Sequence, residues 1–400
     1  MEGNVKSPGD IYFAYYIDGV VSQNPPLQNT EYTLDASASN CTNGVIPSWD
    51  YSTWSFVGDY SSYQSSNTAT TRCNLYFVKN QTVSTALGEL SVYPYTPDFT
   101  KSACDDEACE SHEKGIYAMA TDAEISYYYR GSVENNYFSF ADAMWRVIRV
   151  NEDGSIRLIY DGKEAYLNGA YKADRCYASS QFNTSRYQTE YVGYMYTEGE
   201  AQGLGTSSTI KEANDLFFQD ILANYSSYIE TDAGFCGDRS PLNLQSGVGT
   251  GIVVTYNKGY LRATTNSPDL NCENASDLYT VSSSSKGNKV LTYPVGLITL
   301  DEVIMAGHSV GVLDATYPSQ PVVPNSYLSI ASSFWTMTPA GGFFLFGADQ
   351  GGAMVFNVNQ TGTVINRFVT DATCLRPVIN LRADVSITGD GTPTNPYRVG

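Results

Sequence analysis

Histidine, the usual general base of enzymes, occurs at only two positions in this 400-residue chain, His112 and His308. A Ser-His-Asp or Cys-His site needs a base that is positioned by a second group. His112 lies in an acidic segment, and His308 follows a glycine that is typical of a helix end. Neither position predicts a nucleophile site, and two histidines are too few for a His-rich iron or zinc site.

Carboxylates are the remaining groups that could do acid-base chemistry, with 42 Asp and Glu against 23 Lys and Arg. No motif indicates a glycosidase, although two facing carboxylates in a cleft would be the structural sign of one. Asp105, Asp106 and Glu107 are contiguous and lack the alternating ligand pattern of calcium loops. We therefore predict no enzyme, no metal and no cofactor. The net charge of −19 argues against nucleic-acid and anionic-membrane partners.

The eight cysteines contain no Cys-x-x-Cys spacing, which argues against a zinc ribbon or a redox centre. An even number of scattered cysteines indicates disulfides and an oxidising compartment. Free buried thiols in a cytosolic protein are the alternative. The four predicted pairs are Cys41–Cys73, Cys104–Cys109, Cys236–Cys272 and Cys176–Cys374.

Tyrosine is strongly over-used, at 32 residues, and only 16% of residues are charged. Tyrosine with Ser, Asn and Gly forms adaptable binding surfaces, but it also favours strands, so both interpretations stay open. The sequence contains no run of 18 apolar residues, so it predicts no membrane-spanning helix. We interpret the start, Met1-Glu2-Gly3-Asn4, as that of a secreted or surface protein without its export or anchor segment.

Composition divides the chain into three parts. Residues 1–92 contain short strands around Trp49 and Trp54 and are predicted to form a small β-sandwich, with both tryptophans in its core and Cys41–Cys73 joining its sheets. Residues 93–116 are Pro-rich and acidic, and we predict a linker. Residues 117–400 form the larger domain.

In this larger domain, residues 144–160 predict a β-hairpin with an Asp-Gly turn. Capping boxes predict helices at 208–225, beginning at Thr209, and after Thr299. Residues 230–290 read as long loops. Strands are expected at 334–339, 343–346, 353–358, from Val364, and at 374–381. The chain is thus predicted to be α+β.

Ordered motifs carry a resemblance to a known family. They include YYYRG at 127–131, WRVIR at 145–149, YPVGLIT at 293–299, FWTM at 334–337 and RPVINL at 376–381. Over about residues 115–400 the chain resembles bacterial surface proteins that follow a pilin-like helix and end in a domain similar to C-type lectins and formylglycine-generating enzymes. The Cys-Trp-Trp-Cys pattern at 41–73 resembles the β-domain that precedes it.

The resemblance implies display and binding, and this chain departs from the family's catalytic and calcium-binding relatives. Cys272 and Cys374 lack the motif of the reactive cysteine pair in formylglycine-generating enzymes. The Glu-Pro-Asn and Trp-Asn-Asp motifs of calcium-dependent lectins are absent. The resemblance therefore implies an adhesin or pilin-tip protein that recognises an extracellular protein or glycan. A self-associating pilus or surface subunit is the second hypothesis, and a surface-polymer hydrolase is the third.

The same fold carries the variable proteins of diversity-generating retroelements, whose exposed C-terminal segments are diversified. By that analogy, residues 335–375 are the predicted ligand face, and its aromatic residues at alternate strand positions divide between core and surface. The contact candidates are Trp335, Phe343, Phe344, Phe346, Gln350, Asn357, Asn359, Asn366, Arg367 and Phe368.

Overall fold

A computed structural model describes residues 11–28, 32–36, 38–63, 70–79, 81–82, 92–103, 114–166, 172–242, 255–311, 313, 326–343 and 351–399. The described helices are α1 (Thr209–Phe217), α2 (Lys258–Thr265) and α3 (Leu300–Met305). The strands are β1 (Ile11–Ile17), β2 (Val20–Ser22), β3 (Tyr32–Leu34), β4 (Asn40–Cys41), β5 (Trp49–Asp50), β6 (Ser55–Phe56), β7 (Thr71–Lys79), β8 (Gln81–Thr82), β9 (Val92–Tyr93), β10 (Gly115–Ala120), β11 (Ile125–Arg130), β12 (Tyr137–Phe140), β13 (Ala143–Val150), β14 (Ile156–Tyr160), β15 (Ala178–Gln181), β16 (Met195–Tyr196), β17 (Thr206–Ser207), β18 (Phe235–Cys236), β19 (Thr255–Tyr256), β20 (Leu278–Tyr279), β21 (Phe334–Phe343), β22 (Gly352–Val358), β23 (Val364–Phe368), β24 (Ala372–Leu375), β25 (Val378–Leu381), β26 (Ser386–Thr388) and β27 (Tyr397–Val399).

The chain divides into two compact units. The N-terminal unit contains residues 1–82 and 386–388, and the C-terminal unit contains residues 83–385 and 389–399. The boundary precedes the predicted linker at 93–116. In addition, β9 pairs in parallel with β10 through Val92–Ile116 and Tyr93–Tyr117. The start of the predicted linker is therefore a strand of the C-terminal unit.

The N-terminal unit is built on a sheet of order β2-β1-β7-β3, with β4 also paired to β7. Trp49 is buried, as predicted, and its ring centroid lies 4.9 Å from that of Phe77. Trp54 is only partly buried and packs on the edge of this core. Cys41 and Cys73 form the predicted disulfide, but it joins neighbouring strands of one sheet rather than two sheets. Within the described residues, the layer opposite this sheet is the short hairpin β5–β6 rather than a full second sheet.

Two larger sheets form the C-terminal unit, which mixes helices and strands as the α+β prediction requires. The first has the order β27-β12-β13-β11-β10-β9, and β14 connects β13 to β25. The predicted hairpin is confirmed as β13–β14, paired from Trp145–Tyr160 to Val150–Ile156. The second has the order β15-β24-β21-β22-β23. It contains the predicted ligand face.

The strand predicted over 374–381 is two strands in different sheets. Here β24 pairs with β15, while β25 pairs with β14. Pro377 interrupts the ladder because it has no backbone N–H to donate. Cys374, at the end of β24, forms the predicted disulfide with Cys176, which precedes β15. The disulfide thus ties two neighbouring strands of the second sheet.

Helix α1 lies within the predicted range, but its first turn differs from the prediction. Ser208 is the N-cap, and its hydroxyl accepts a hydrogen bond from the Lys211 backbone N–H. The predicted capping box at Thr209 is therefore wrong by one residue. After Phe217 the chain continues as a π-helical turn and then a 3₁₀ helix that ends at Tyr228.

Helix α2 lies in the segment that was predicted as loops. A Cβ atom on its Gly259 would lie 2.5 Å from Thr338 Cγ2, so glycine allows the helix to pack closely on β21. The capping box predicted for α3 is confirmed, with reciprocal bonds between Thr299 and Glu302. Cys236 and Cys272 form the predicted disulfide. Among the helices that the structure describes, none has the length and apolarity needed to cross a membrane.

Candidate functional site

Three of the predicted contact residues are buried inside the second sheet. Trp335 is completely buried, and its Nε1 donates to the Ser180 carbonyl at 2.9 Å. Asn357 is also buried and donates to Thr373 Oγ1 at 3.1 Å. Buried Asn359 holds the turn between β22 and β23 through backbone N–H groups. These three side chains support the sheet, which corrects their assignment as surface contacts.

The other predicted contacts fall into two groups. Asn366, Arg367 and Phe368 lie on β23 and are partly exposed. For Phe343 the side chain lies outside the described part of the structure, and so do the whole residues Phe344, Phe346 and Gln350. The ligand face that can be examined is therefore the outer part of β23.

Two residues that the sequence did not single out join this surface. The guanidinium carbon of Arg186 lies 4.3 Å from the Phe368 ring centroid and 5.8 Å from that of Tyr187. Tyr187 is 55% exposed. The Arg186 carbonyl accepts from the Ala353 N–H at 2.8 Å, which fixes this segment beside β22. We call the surface formed by residues 186–187 and 366–368 the β23 patch.

Gly352, at the start of β22, is required for this approach. A Cβ atom there would lie 2.8 Å from both the Cγ and the carbonyl oxygen of Arg186. No local motif links Arg186 to Phe368, since 182 positions separate them in the sequence. Only the folded sheet brings them together.

A polar cleft of about 330 Å³ opens elsewhere in the C-terminal unit, beside the first turn of α3. Glu302 lines it, and its Oε1 accepts from Arg149 Nε at 2.9 Å. The same oxygen lies 2.6 Å from Arg157 Nε and forms an ion pair with it. The Arg157 Nε–H does not point at this oxygen, so the contact is not a hydrogen bond. Glu302 Oε2 accepts from the Thr299 N–H at 2.9 Å. The capping-box glutamate therefore also ties α3 to the hairpin β13–β14.

A second ion-pair set lines the same cleft. Arg262 Nε donates to Asp301 Oδ1 at 2.8 Å, and its Nη2 lies 3.2 Å from Asp301 Oδ2. Arg262 Nη1 donates to Asp238 Oδ2 at 2.7 Å. Because Arg262 lies on α2, the helix that the sequence did not predict supplies this wall of the cleft.

The two neighbouring carboxylates have opposite pKa shifts. Burial raises the pKa of Asp301, and the attraction of Arg262 opposes it only in part. Burial also acts to raise the pKa of Glu302, but Arg157 and Arg149 outweigh it and hold that pKa below its ordinary value. In some enzymes, opposite pKa shifts of two carboxyl groups make one a general acid and the other a general base. Here each carboxylate is the ion-pair partner of an arginine.

His308 is buried and serves the interior. Its Nδ1 lies 2.6 Å from the Gly362 carbonyl oxygen, so the ring donates to that carbonyl. Burial lowers the pKa of His308 to about 4, which makes the neutral ring the form present at neutral pH. His112, the acidic segment and the predicted Cys104–Cys109 pair lie outside the described residues. Across the ranges described, no three His, Cys, Asp or Glu side chains come together in a way that could hold a metal ion.

Comparison with protein-family models, with curated proteins and with solved structures found no match to this chain.

Proposed function

We propose that this chain is a bacterial surface or secreted binding protein that recognises an extracellular protein or glycan through the β23 patch. The observation that carries the proposal is an exposed tyrosine and a partly exposed phenylalanine with one guanidinium near both rings. Tyr and Arg are the residue types that dominate binding hot spots, and aromatic rings bring large contact area at low entropic cost. We propose that the domain at residues 117–400 has a C-type-lectin-like fold.

Rigidity of the supporting sheet favours recognition by a preorganised surface. Strand β23 pairs with β22 over five residues, from Val358–Val364 to Met354–Phe368. The Cys176–Cys374 disulfide fixes β15 and β24 in the same sheet. A surface that is already ordered loses less conformational entropy on binding. Three disulfides among the described residues also fit an oxidising, extracellular location.

The ion-paired cleft is assigned a structural role in this proposal. A glycosidase needs one carboxylic acid and one carboxylate placed on either side of the same bond. Asp301 and Glu302 are instead engaged by arginines in hydrogen bonds and ion pairs. If the cleft were catalytic, Asp301→Asn would abolish hydrolysis of a polysaccharide panel that the unmodified chain degrades. The proposal expects no hydrolysis by either protein.

Binding of the soluble chain to arrays of glycans and of host proteins tests the proposal. We expect a ligand whose affinity falls at least about tenfold in a double variant, Tyr187→Ala with Phe368→Ala, because both rings of the patch are lost. The matched control is Tyr12→Ala, since Tyr12 is 59% exposed but lies in the N-terminal unit. Equal binding by the double variant and the control would reject the β23 patch.

A second candidate, self-association as a structural subunit, is favoured by one feature of the N-terminal unit. Strand β2 lies at the edge of its sheet, with Val20 and Val21 70% and 68% exposed. Exposed apolar edge strands pair readily with other chains. Sedimentation of the chain and of Val21→Lys separates the two candidates: a concentration-dependent oligomer that the lysine abolishes supports a subunit, and a monomer at all concentrations supports the binding protein.

A further inference from the structure

A group of buried charges in the C-terminal unit is separate from the ion pairs of the polar cleft. We call it the Arg146 cluster. Every one of its members is at most 2% exposed. The cluster consists of Arg146, Asp161, Arg175 and Arg376, with the tyrosines Tyr129, Tyr137 and Tyr327.

The cluster contains more positive than negative charge. Asp161 Oδ1 lies 2.7 Å from Arg175 Nη2 and 2.7 Å from Arg376 Nη2, so one carboxylate serves two arginines. Arg146 has neutral hydrogen-bond acceptors instead: the Asn136 side-chain oxygen at 2.7 Å and the Val133 carbonyl at 2.6 Å. Among the described residues, Arg146 therefore has no carboxylate partner, while Asp161 is shared by two arginines. Burying an uncompensated charge costs several kcal/mol in general.

Donor groups without acceptors belong to the same cluster. Arg146 Nη1 and the hydroxyls of Tyr129, Tyr137 and Tyr327 have no hydrogen-bond partner among the described residues. The guanidinium carbon of Arg146 lies 3.8 Å from the Tyr137 ring centroid and 5.3 Å from that of Tyr327. Burial is the main reason that the pKa of Tyr129 lies well above its ordinary value, and Tyr397 and Tyr327 add to the effect. The Tyr129 hydroxyl therefore keeps its proton and can donate it in a hydrogen bond. The cluster therefore presents four donor groups and excess positive charge.

We propose that the Arg146 cluster binds a small monovalent anion of the chloride type, held by Arg146 Nη1 and the three tyrosine hydroxyls. Charge decides between an anion and water. Water could satisfy the donors, but only an anion also compensates the buried charge of Arg146. The unpartnered Asp161 Oδ2 is an acceptor and suits a water beside the anion.

Two described carboxylates that act on the tyrosines of the cluster do not supply the missing negative charge. In addition to burial, the charge of Glu134 helps to raise the pKa of Tyr137, but Glu134 itself is exposed to solvent. Beyond the effect of burial, the charge of Glu302 helps to raise the pKa of Tyr327, yet Glu302 is already the partner of two arginines of the polar cleft. Burial and the nearby charge of Arg376 lower the pKa of His308, and this histidine is neutral at neutral pH. Within the part of the chain that the structure describes, none of these groups therefore balances Arg146.

Unfolding of the full chain in urea tests the proposal, with sodium chloride compared to sodium gluconate at equal ionic strength. A ligand of the folded state raises stability with the logarithm of its concentration above its Kd. We expect the midpoint of the C-terminal unit to rise in chloride only. A triple variant, Tyr129→Phe with Tyr137→Phe and Tyr327→Phe, should lose this dependence, because it removes hydroxyls that bind no described protein group.

The matched control is Tyr194→Phe. Its buried hydroxyl donates to the Val295 carbonyl at 3.2 Å and accepts from Asn214, so this variant should lose stability but keep the full chloride dependence. Crystals grown in sodium bromide give a direct readout. An anomalous peak within hydrogen-bond distance of Arg146 Nη1, missing in the triple variant, supports the site. Equal midpoints in both salts, an unchanged chloride response in the triple variant, or no bromide at Arg146 would overturn it.

Discussion

Two sets of buried or partly buried arginines in the C-terminal unit have their positive charges accommodated in different ways. In the polar cleft, each arginine faces carboxylates of the chain. In the Arg146 cluster, as far as the structure describes the chain, one carboxylate faces two arginines and Arg146 has none. The cleft set consists of Arg149, Arg157 and Arg262 with Asp238, Asp301 and Glu302.

This difference teaches where a ligand can be expected in a buried polar region. Three acids, together with the partly exposed Glu152, face the three arginines of the cleft, so this network is closed within the chain and joins α2, α3 and the hairpin β13–β14. In the proposed anion site, Arg146 has only neutral acceptors among the described residues and depends on a charge from outside the chain. A buried ion pair is weak evidence for stability, whereas a buried charge without a partner is strongly unfavourable. Charge balance, rather than burial, separates structural networks from binding sites.

The largest effect is expected from Glu302→Gln. Removing one partner of a buried ion pair costs about 3–5 kcal/mol, because the remaining charges stay buried. Here Arg149 and Arg157 would both face a neutral amide. Urea unfolding measures the loss. The control is Glu152→Gln, a partly exposed partner 3.6 Å from Arg149, which should cost less than about 1 kcal/mol. Similar losses in both variants would show that the cleft network is not a matched set.

Asp161→Asn should have the next largest effect, and its response to salt is the diagnostic feature. The substitution removes the negative charge that lies beside Arg175 and Arg376 and leaves both guanidinium groups with neutral acceptors among the described residues. We expect a loss of about 3 kcal/mol in gluconate, part of which chloride restores. Glu302→Gln should show no such chloride rescue. Rescue of both variants to the same extent would indicate general screening and would remove the distinction between the two clusters.

The pH dependence of stability sharpens the comparison inside the cleft. Because the folded pKa of Glu302 is lowered, its ionised form stabilises the fold above its unfolded pKa of about 4.3, and this contribution is lost as pH falls through the folded value. The difference between the unmodified chain and Glu302→Gln should therefore shrink on acidification. The pKa of Asp301 is raised, so the corresponding difference for Asp301→Asn should move the opposite way. Parallel curves would contradict these assignments.

Local signals in the sequence predicted local structure well. The Asp-Gly hairpin of β13–β14, the Thr299–Glu302 capping box and the disulfide partners of Cys41, Cys236 and Cys374 are present in the fold. The hairpin and the capping box rest on short-range turn and capping chemistry, and the Cys41–Cys73 and Cys236–Cys272 pairs rest on stapling a local segment. The Cys176–Cys374 pair, 198 residues apart, was the pair that remained after the others were assigned. Helix α2 was missed because Gly259 and two threonines give it low intrinsic helix propensity, and packing on β21 supplies the stabilisation that propensity lacks.

The candidate sites were harder to predict, because alternation along a strand does not say which face is covered. Trp335 and Phe368 both fit a ligand face in sequence, yet one is buried and the other is partly exposed. Arg149 and Glu302 are 153 residues apart, and no periodicity links them. Charge pairing over such separations exists only after the sheets and helices are assembled. The sequence thus predicts elements, while the partners of its buried charges come from tertiary structure.

The smallest effect, and the finest test of the comparison, concerns single tyrosine hydroxyls. Tyr194 donates to a protein carbonyl, so Tyr194→Phe should cost about 0.5–1.5 kcal/mol in any salt. The Tyr327 hydroxyl has no partner among the described residues, so Tyr327→Phe in gluconate should be neutral or slightly stabilising. In chloride the same substitution should become destabilising, because it removes a donor to the anion. A Tyr327→Phe effect that is identical in both salts would mean that this hydroxyl faces no anion, and the charge excess around Arg146 would then need another explanation.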